Sequence, residues 1–337
     1  MRAIVDTIAL VVSASSSAKK VALKTRDDPS RGIPISPIGV GTISWGDASR
    51  GFGTTFREKD ATDAFQSARR SGINFFDTAE VYGYKGQKYE QSAEEILGRL
   101  ACCCGQGVDD DDKDVVVGSK VFTIPWTNAL LGGGIRLGKE SLVKAGKESV
   151  KRMGGRRMDL WSIHFPFPSF SQDALMSALE ESLDLGLTRA VGVSNYNTEQ
   201  LERAFEILEK RGIPLASNQI EYSVVNRKAE KEGLIQSCLD RDVKVVAHSP
   251  LKALKTTEIE EKYVIMNKLC EFIGQVNGGG KSKVSVMLNY CMAKGTIPIP
   301  GVKRVEHIAD IENAMGWTLD EESVLTIDEK MDYLDKL

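Results

Sequence analysis

A strand-helix alternation repeated eight times dominates this sequence and restricts what it can fold into. Runs rich in Val, Ile, Phe or Trp and bounded by Gly, Pro or Ser occur at "PIGVGT", "INFFDTA", "DVVVGSKV", "MDLWSIHF", "TRAVGVSN", "LASNQIEYS", "VKVVAHSP" and "TIPIPGV", the lengths and residue types of buried strands. Between them lie segments with apolar residues at helical spacing, among them "EKDATDAFQSARRSG", "SQDALMSALEESLDLG", "NTEQLERAFEILEKRG" and "RKAEKEGLIQSCLDRD". Most begin near Ser, Asn, Asp or a basic residue and stop at Gly, as helices do. Parallel strands joined by crossover helices follow, and eight is the number at which such a sheet closes. The expected fold class is therefore α/β, a (β/α)8 TIM barrel. Upstream, "KKVALKTRDDPSRGIPIS" offers two short strands about a "DDPSRG" turn, an N-terminal β-hairpin expected to close the bottom of the barrel. A doubly wound open sheet competes, but "GVGTISWG" lacks the G-x-G-x-x-G turn such a sheet usually carries after its first strand.

The 337 residues suit one domain of this kind. Residues 20–337 read as the barrel domain. Residues 1–19 are Ser/Ala-rich with basic residues and a single acid, which fits a flexible tail or a transit remnant. The apolar run there is interrupted by Asp6 and is far shorter than a bilayer span. A net charge of −3 and the lack of a Lys/Arg run give no footprint for a polyanion. Nucleic acid and membrane are thus not expected as partners, and the protein is expected to be a monomer or weak oligomer. Cys102, Cys103 and Cys104 adjoin while Cys238, Cys270 and Cys291 stand singly, without a CxxC spacing, so reduced thiols and no zinc or other metal are expected. The "DDDDK" run reads as a solvated loop rather than a calcium loop, because its acids adjoin instead of alternating.

Barrel enzymes carry their chemistry at the C-terminal ends of the strands. Here those ends hold Asp77 with Tyr82 just beyond it, Lys120, His164, Ser194 with Asn195, Gln219, His248 with Ser249, and Gly301 with Lys303. A free phenol, with a pKa near ~10, is a weak acid at neutral pH. A neighbouring ammonium would lower that value, so Lys120 is the candidate tuner of Tyr82, with Asp77 aiming Lys120. His164 could hydrogen-bond a carbonyl oxygen. Such a group protonates an oxygen as hydride reaches carbon, and only a cofactor can supply hydride.

Taken in order, "INFFDTAEVYG", "VGSK", "SIHFP", "GLTRAVGVSNYN", "LASNQIEYS", "HSPL" and "IPIPGVKRVEHIADIENAMGW" resemble the aldo-keto reductases over nearly the whole chain. The pattern looks especially like plant and algal members of the chloroplast oxidoreductase type and the pyridoxal reductases. The resemblance implies NADPH across the barrel mouth and Asp77, Tyr82, Lys120 and His164 as the catalytic tetrad, Tyr82 being the general acid. It implies that Ser194, Asn195 and Gln219 bind the nicotinamide carboxamide, that His248 stands where an aromatic residue usually stacks on the ring, and that Ser249 and Leu251 line the pyrophosphate path. Lys303 and Arg304 would suit a ribose 2′-phosphate. Thr42, Asp77, Gly301 and His307 complete the expected cofactor contacts, with Trp45, Trp126 and Phe165 lining the substrate pocket and Phe167 beside them.

The chain also departs from that pattern. Ile43 follows Thr42 where many members have an aromatic residue, Ile311 replaces an asparagine near the adenine, His307 stands where Gln or Arg is frequent, and the loop after "HSPL" looks short. A looser belt over the cofactor and faster NADP release are expected from that loop. The function expected is reduction of small aldehydes or ketones, with reactive aldehydes and pyridoxal as leading substrates. The alternative is an NADP-binding, redox-sensing regulatory subunit with negligible turnover; a divalent-metal hydrolase ranks far behind, with only His164 and His248 as strand-end ligands. Similarity to plastid relatives implies a chloroplast location, with the cytoplasm as the alternative.

Overall fold

Short β-branched runs pair first. In the computed structural model, which describes residues 20–83, 91–103, 115–123, 136–254, 260–276 and 280–337, β1 (Val21–Leu23) lies antiparallel to β2 (Ile33–Ile35). Leu23, Ile33 and Ile35 are buried in one cluster with Phe75, Val116, Leu160, Ala190, Ala216, Val246 and Ile297. These partners come from successive barrel strands, several of them near the strand starts, so the hairpin plugs the floor, as its sequence led us to expect.

The eight remaining strands are β3 (Val40–Gly41), β4 (Phe75–Asp77), β5 (Val116–Val121), β6 (Met158–Ile163), β7 (Thr188–Ser194), β8 (Leu215–Glu221), β9 (Lys244–His248) and β10 (Thr296–Pro298). They form one sheet in sequential order, every pair parallel. Its edges meet: Gly41 bridges Gly301, Gly39 N–H donates to Pro298 O at 3.0 Å and Gly41 N–H to Pro300 O at 2.9 Å. Glycine is required at 39, where a Cβ would fall 2.7 Å from the Phe75 ring and 2.9 Å from an Ile299 methyl. The sheet is thus a (β/α)8 barrel.

Outside it run α1 (Glu58–Arg70), α2 (Ala93–Cys103), α3 (Gly138–Arg152), α4 (Gln172–Asp184), α5 (Thr198–Glu209), α6 (Lys228–Lys231), α7 (Leu234–Asp240), α8 (Glu261–Val276), α9 (Lys283–Ala293), α10 (Val305–Ala314) and α11 (Glu321–Leu334). Their apolar faces, such as Ala64, Phe65 and Ala68 of α1 and Leu175, Leu179 and Leu183 of α4, close a second core against the outer strand faces. Two helical features differ from the sequence reading. "RKAEKEGLIQSCLDRD" is broken into α6 and α7 at Gly233, whose φ of +76 ends one turn before the next begins. The terminal α11, capped by Asp320 accepting from Ser323 N–H, was not foreseen. Residues 1–19, Trp126, Cys104 and the "DDDDK" run lie outside the described residues, as do residues 255–259 in the loop expected to be short. Among the described residues no helix is long and apolar enough to cross a membrane, and no group of three or more His, Cys, Asp or Glu side chains could hold a metal ion.

Candidate active site

The ends of β4, β5 and β6 bring Asp77, Lys120 and His164 together. Lys120 is 1% exposed, and its ammonium lies 2.7 and 2.6 Å from the two Asp77 carboxylate oxygens and 2.8 Å from Thr78 O. All three of its protons are therefore committed. Burial lowers its pKa, and the Asp77 carboxylate opposes that loss of charge. Asp77 is itself braced: Gln219 Nε2 donates to Oδ1 at 2.8 Å, and Thr42 donates to the Asp77 backbone carbonyl through both N–H and Oγ1.

Tyr82 sits in the turn after β4, its N–H bonded to Ala79 O. Its ring centre is 5.2 Å from the Lys120 ammonium and 5.9 Å from the His164 ring, edge to face. The phenol hydroxyl makes no hydrogen bond among the described residues. Burial first, and the Asp77 carboxylate second, push its pKa well above the ordinary tyrosine value. This corrects the expectation that Lys120 lowers it: the ammonium faces the ring, and Asp77 already neutralises its charge. His164 Nδ1 is buried without a partner among the described residues. Burial, then Lys120, then His248 hold the imidazole well below its usual pKa, so it is neutral at physiological pH.

The residues expected to bind a carboxamide do converge, but mostly upon each other. Ser194 Oγ donates to Gln219 O at 2.9 Å; Asn195 Nδ2 donates to Ser194 Oγ and His164 O, each at 3.0 Å. Because both Nδ2 protons are used, Asn195 Oδ1 is the acceptor for His248 Nε2–H at 3.1 Å. Asn195 is held at a φ of 61° and Ser249 at 55°, left-handed backbone conformations at the ends of β7 and β9. Gln219 Oε1 accepts nothing among the described residues and stays open.

Beyond β10, Lys303 Nζ donates to Arg50 O at 2.8 Å, Arg304 donates to Thr55 O, and Lys303 N–H donates to His307 Nδ1 at 3.2 Å. Gly301 is exposed, with nothing within 4 Å of where its Cβ would stand. Leu251 is half-buried against the core. Two expected contacts are corrected. Trp45 is completely buried and donates its indole N–H to Val302 O at 2.8 Å, so its ring offers a substrate no surface. Thr42 is also fully buried and acts on Asp77 instead of reaching a ligand.

Phe165 does line a cavity, of about 480 Å³, together with Phe122, Phe167, two prolines, Asn195, Asn197 and Gln200. Its ring stacks on His164 at 5.0 Å, while Phe122 meets both rings edge-on. Phe122, Asn197 and Gln200 were missed in the sequence: Phe122 follows Lys120 by two residues, which could have marked it, whereas "NTEQ" reads only as a helix start. Glu80 and Arg136 were missed as well. They form a buried ion pair that also takes the Phe122 backbone, Glu80 accepting from Phe122 N–H and Arg136 donating to Phe122 O. That clamp fixes one wall of the cavity.

Comparison with known proteins gives the family and the fold. The model of the "Aldo/keto reductase family" matches residues 37–332. A chloroplastic pyridoxal reductase of Arabidopsis thaliana is 30% identical over 315 residues, covering 88% of this chain and 83% of its own. A thermostable aldo-keto reductase solved with the inhibitor epalrestat superposes with a TM-score of 0.72 at 27% identity, over 92% of this chain and 99% of that one. A Klebsiella pneumoniae aldo/keto reductase solved with NADP and acetate gives the same TM-score at 22% identity, over 93% and 95%.

Proposed function

The chain belongs to the aldo/keto reductase family, and on that premise we propose that it uses NADPH to reduce the carbonyl of small aldehydes to alcohols. The observation that carries this reading is the unused hydrogen-bonding capacity of Tyr82 Oη and His164 Nδ1 beside a fully bonded Asp77–Lys120 pair. The donor set fits a phosphorylated dinucleotide. Lys303 and Arg304 offer two cations at the end of β10, the space beside Gly301 is open, and Gln219 Oε1 can accept a carboxamide N–H. Ser249 and Leu251 would flank the pyrophosphate. When bound, the cofactor supplies the hydride.

Tyr82 holds the proton that the carbonyl oxygen takes. A phenol raised in pKa by burial does not ionise beforehand, and it gives up its proton only as negative charge grows on the oxygen beside it. Lys120, fully bonded to Asp77 and Thr78 and 5.2 Å from the Tyr82 ring centre, holds the wall against which that ring stands. Neutral His164 orients the oxygen by hydrogen bonding without competing as an acid. The name of the Arabidopsis relative supports pyridoxal as the first aldehyde to try, and a plastid location for this protein as well.

NADPH oxidation followed by absorbance across an aldehyde panel including pyridoxal tests the reading, with Tyr82→Phe as control. Turnover lost in that variant is the expected result. Tight NADPH binding with no turnover of any aldehyde would favour the regulatory alternative.

A further inference from the structure

Tyr82 Oη bonds nothing among the described residues, so the phenol stands wherever the turn beneath it is held. That turn leaves the ladder between β4 and β5. Thr78 N–H donates to Gly118 O at 2.8 Å and Glu80 N–H to Lys120 O at 3.2 Å, and then Tyr82 N–H turns back to Ala79 O. A further rung would have to partner the Phe122 N–H and carbonyl, and the main chain has already departed. Side chains take its place. Glu80 Oε1 accepts from Phe122 N–H at 2.5 Å and Arg136 Nη1 donates to Phe122 O at 2.5 Å, while carboxylate and guanidinium bond each other at 2.5 and 3.0 Å. Both residues are 2% exposed. A buried ion pair is often no more stabilising than an apolar pair of the same size; what its bonds add is a fixed geometry.

We propose that Glu80 and Arg136 are positioning residues for the reduction: their ion pair continues the ladder after the main chain has left it, locking the turn that carries Tyr82 to the strand end that carries Lys120 and so setting where the phenol meets the substrate oxygen. Glu80 acts through the turn, and Arg136 through Glu80 and Phe122. This rests on the carbonyl-reduction reading above and adds two residues to it.

Kinetics of NADPH oxidation with the best aldehyde of the panel, in H2O and in D2O, test the idea. Glu80→Met combined with Arg136→Met deletes the pair without leaving a buried charge unmatched, and kcat should fall about 10²-fold, the cost of misplacing a reacting group by about 1 Å. Glu80→Asp keeps the charge but shortens its reach by one methylene, and should cost about tenfold. In both variants the NADPH Kd read by protein fluorescence should stay at the parent value while the solvent isotope effect on kcat rises, because the proton step is the one slowed. A pair with a structural role alone would lower the melting temperature and leave kcat per folded molecule and the isotope effect unchanged, which would overturn the proposal. If the double variant does not fold, Glu80→Asp decides by the same readings. Amide exchange separates this proposal from the reading beneath it. Faster exchange over residues 78–83 in the variants, with no aldehyde turned over by the parent, would uphold the lock on the turn and sink the reductase reading; unchanged exchange there would overturn the lock.

Discussion

Two buried networks in this molecule are built from the same parts and do different things. At the barrel mouth, Tyr82, Lys120 and Asp77 bring together a phenol, an ammonium and a carboxylate. Beneath α11, Tyr222 and Tyr290 meet Glu230, Asp328, Lys294 and Arg227. In the second set every phenol is bonded: Tyr290 Oη donates to Asp328 Oδ1 at 2.6 Å and Tyr222 Oη to Glu230 Oε2 at 2.8 Å. Lys294 bridges Glu230 and Asp328 at 2.6 and 2.5 Å, and Arg227 reaches Glu230, Asp328 and Asp332. That network pins the last helix to α6 and α9. At the mouth the ion pair is just as complete, yet the phenol hydroxyl and one imidazole nitrogen have no partner among the described residues. Chemistry is available where bonding capacity has been left over, and rigidity where it has been used up.

The contrast is sharpest for the two phenols. Tyr82→Phe should lower kcat/KM by about 10²–10⁴, the usual worth of a positioned acid, with a melting temperature close to the parent's because its hydroxyl bonds nothing among the described residues. An intact rate in that variant would refute Tyr82 as the proton donor. Among the described residues Lys120→Met leaves the buried Asp77 carboxylate with Gln219 as its one side-chain partner, and removing one partner of such a pair costs about 3–5 kcal/mol. Urea unfolding measures that, and activity should be lost with it. Tyr290→Phe removes one donor from Asp328, which keeps Lys294. About 1–2 kcal/mol of stability should disappear while kcat/KM of the folded fraction stays at the parent value. A loss of activity without loss of stability in this variant would erase the distinction between the networks.

Much of this was legible because strands announce themselves. "DVVVGSKV" and "TRAVGVSN" are β-branched runs that suit only buried strands, and a barrel then puts Asp77, Lys120, His164 and Asn195 at one mouth without further information. What failed depended on directions in space. A sequence does not say whether the Trp45 ring turns toward the mouth or away, and its indole found Val302 O on the far side of the closing seam. The tuning of Tyr82 was misread because burial, which a sequence does not show, raises the phenol first and the Asp77 carboxylate, paired with Lys120, raises it further. Gly233 lies between two stretches of similar helical pattern, so the break between α6 and α7 was hidden. The terminal α11 did carry a signal, Asp320 ahead of Glu321 and Glu322 with Ile327 and Met331 four apart on the buried face; eight strand-helix units had already accounted for the barrel.

The smallest expected effect separates the two networks by pH. His164 has a native pKa well below 6.5. Above that value neither native nor unfolded imidazole is charged, and stability does not depend on it. As pH falls below 6.5 the unfolded chain takes a proton that the native site refuses, so stability declines by about 1.4 kcal/mol per pH unit until the native pKa is reached. Glu230 behaves likewise from a lower starting point. Burial opposes its charge, but hydrogen bonds from Lys294, Arg227 and Tyr222 hold its native pKa below 4.5. Its contribution is whole above pH 4.5 and is lost only as pH falls further. Urea melts at pH 7.5, 6.5 and 5.5 should therefore report the mouth and not the network under α11. His164→Phe, which keeps an aromatic ring among Phe122, Phe165 and Tyr82, should flatten the slope between pH 6.5 and 5.5 by about one proton, whereas Glu230→Gln should leave that slope as it is. If the two variants exchange these behaviours, the imidazole is charged in the native protein and the claim that it works as a neutral hydrogen-bonding group falls.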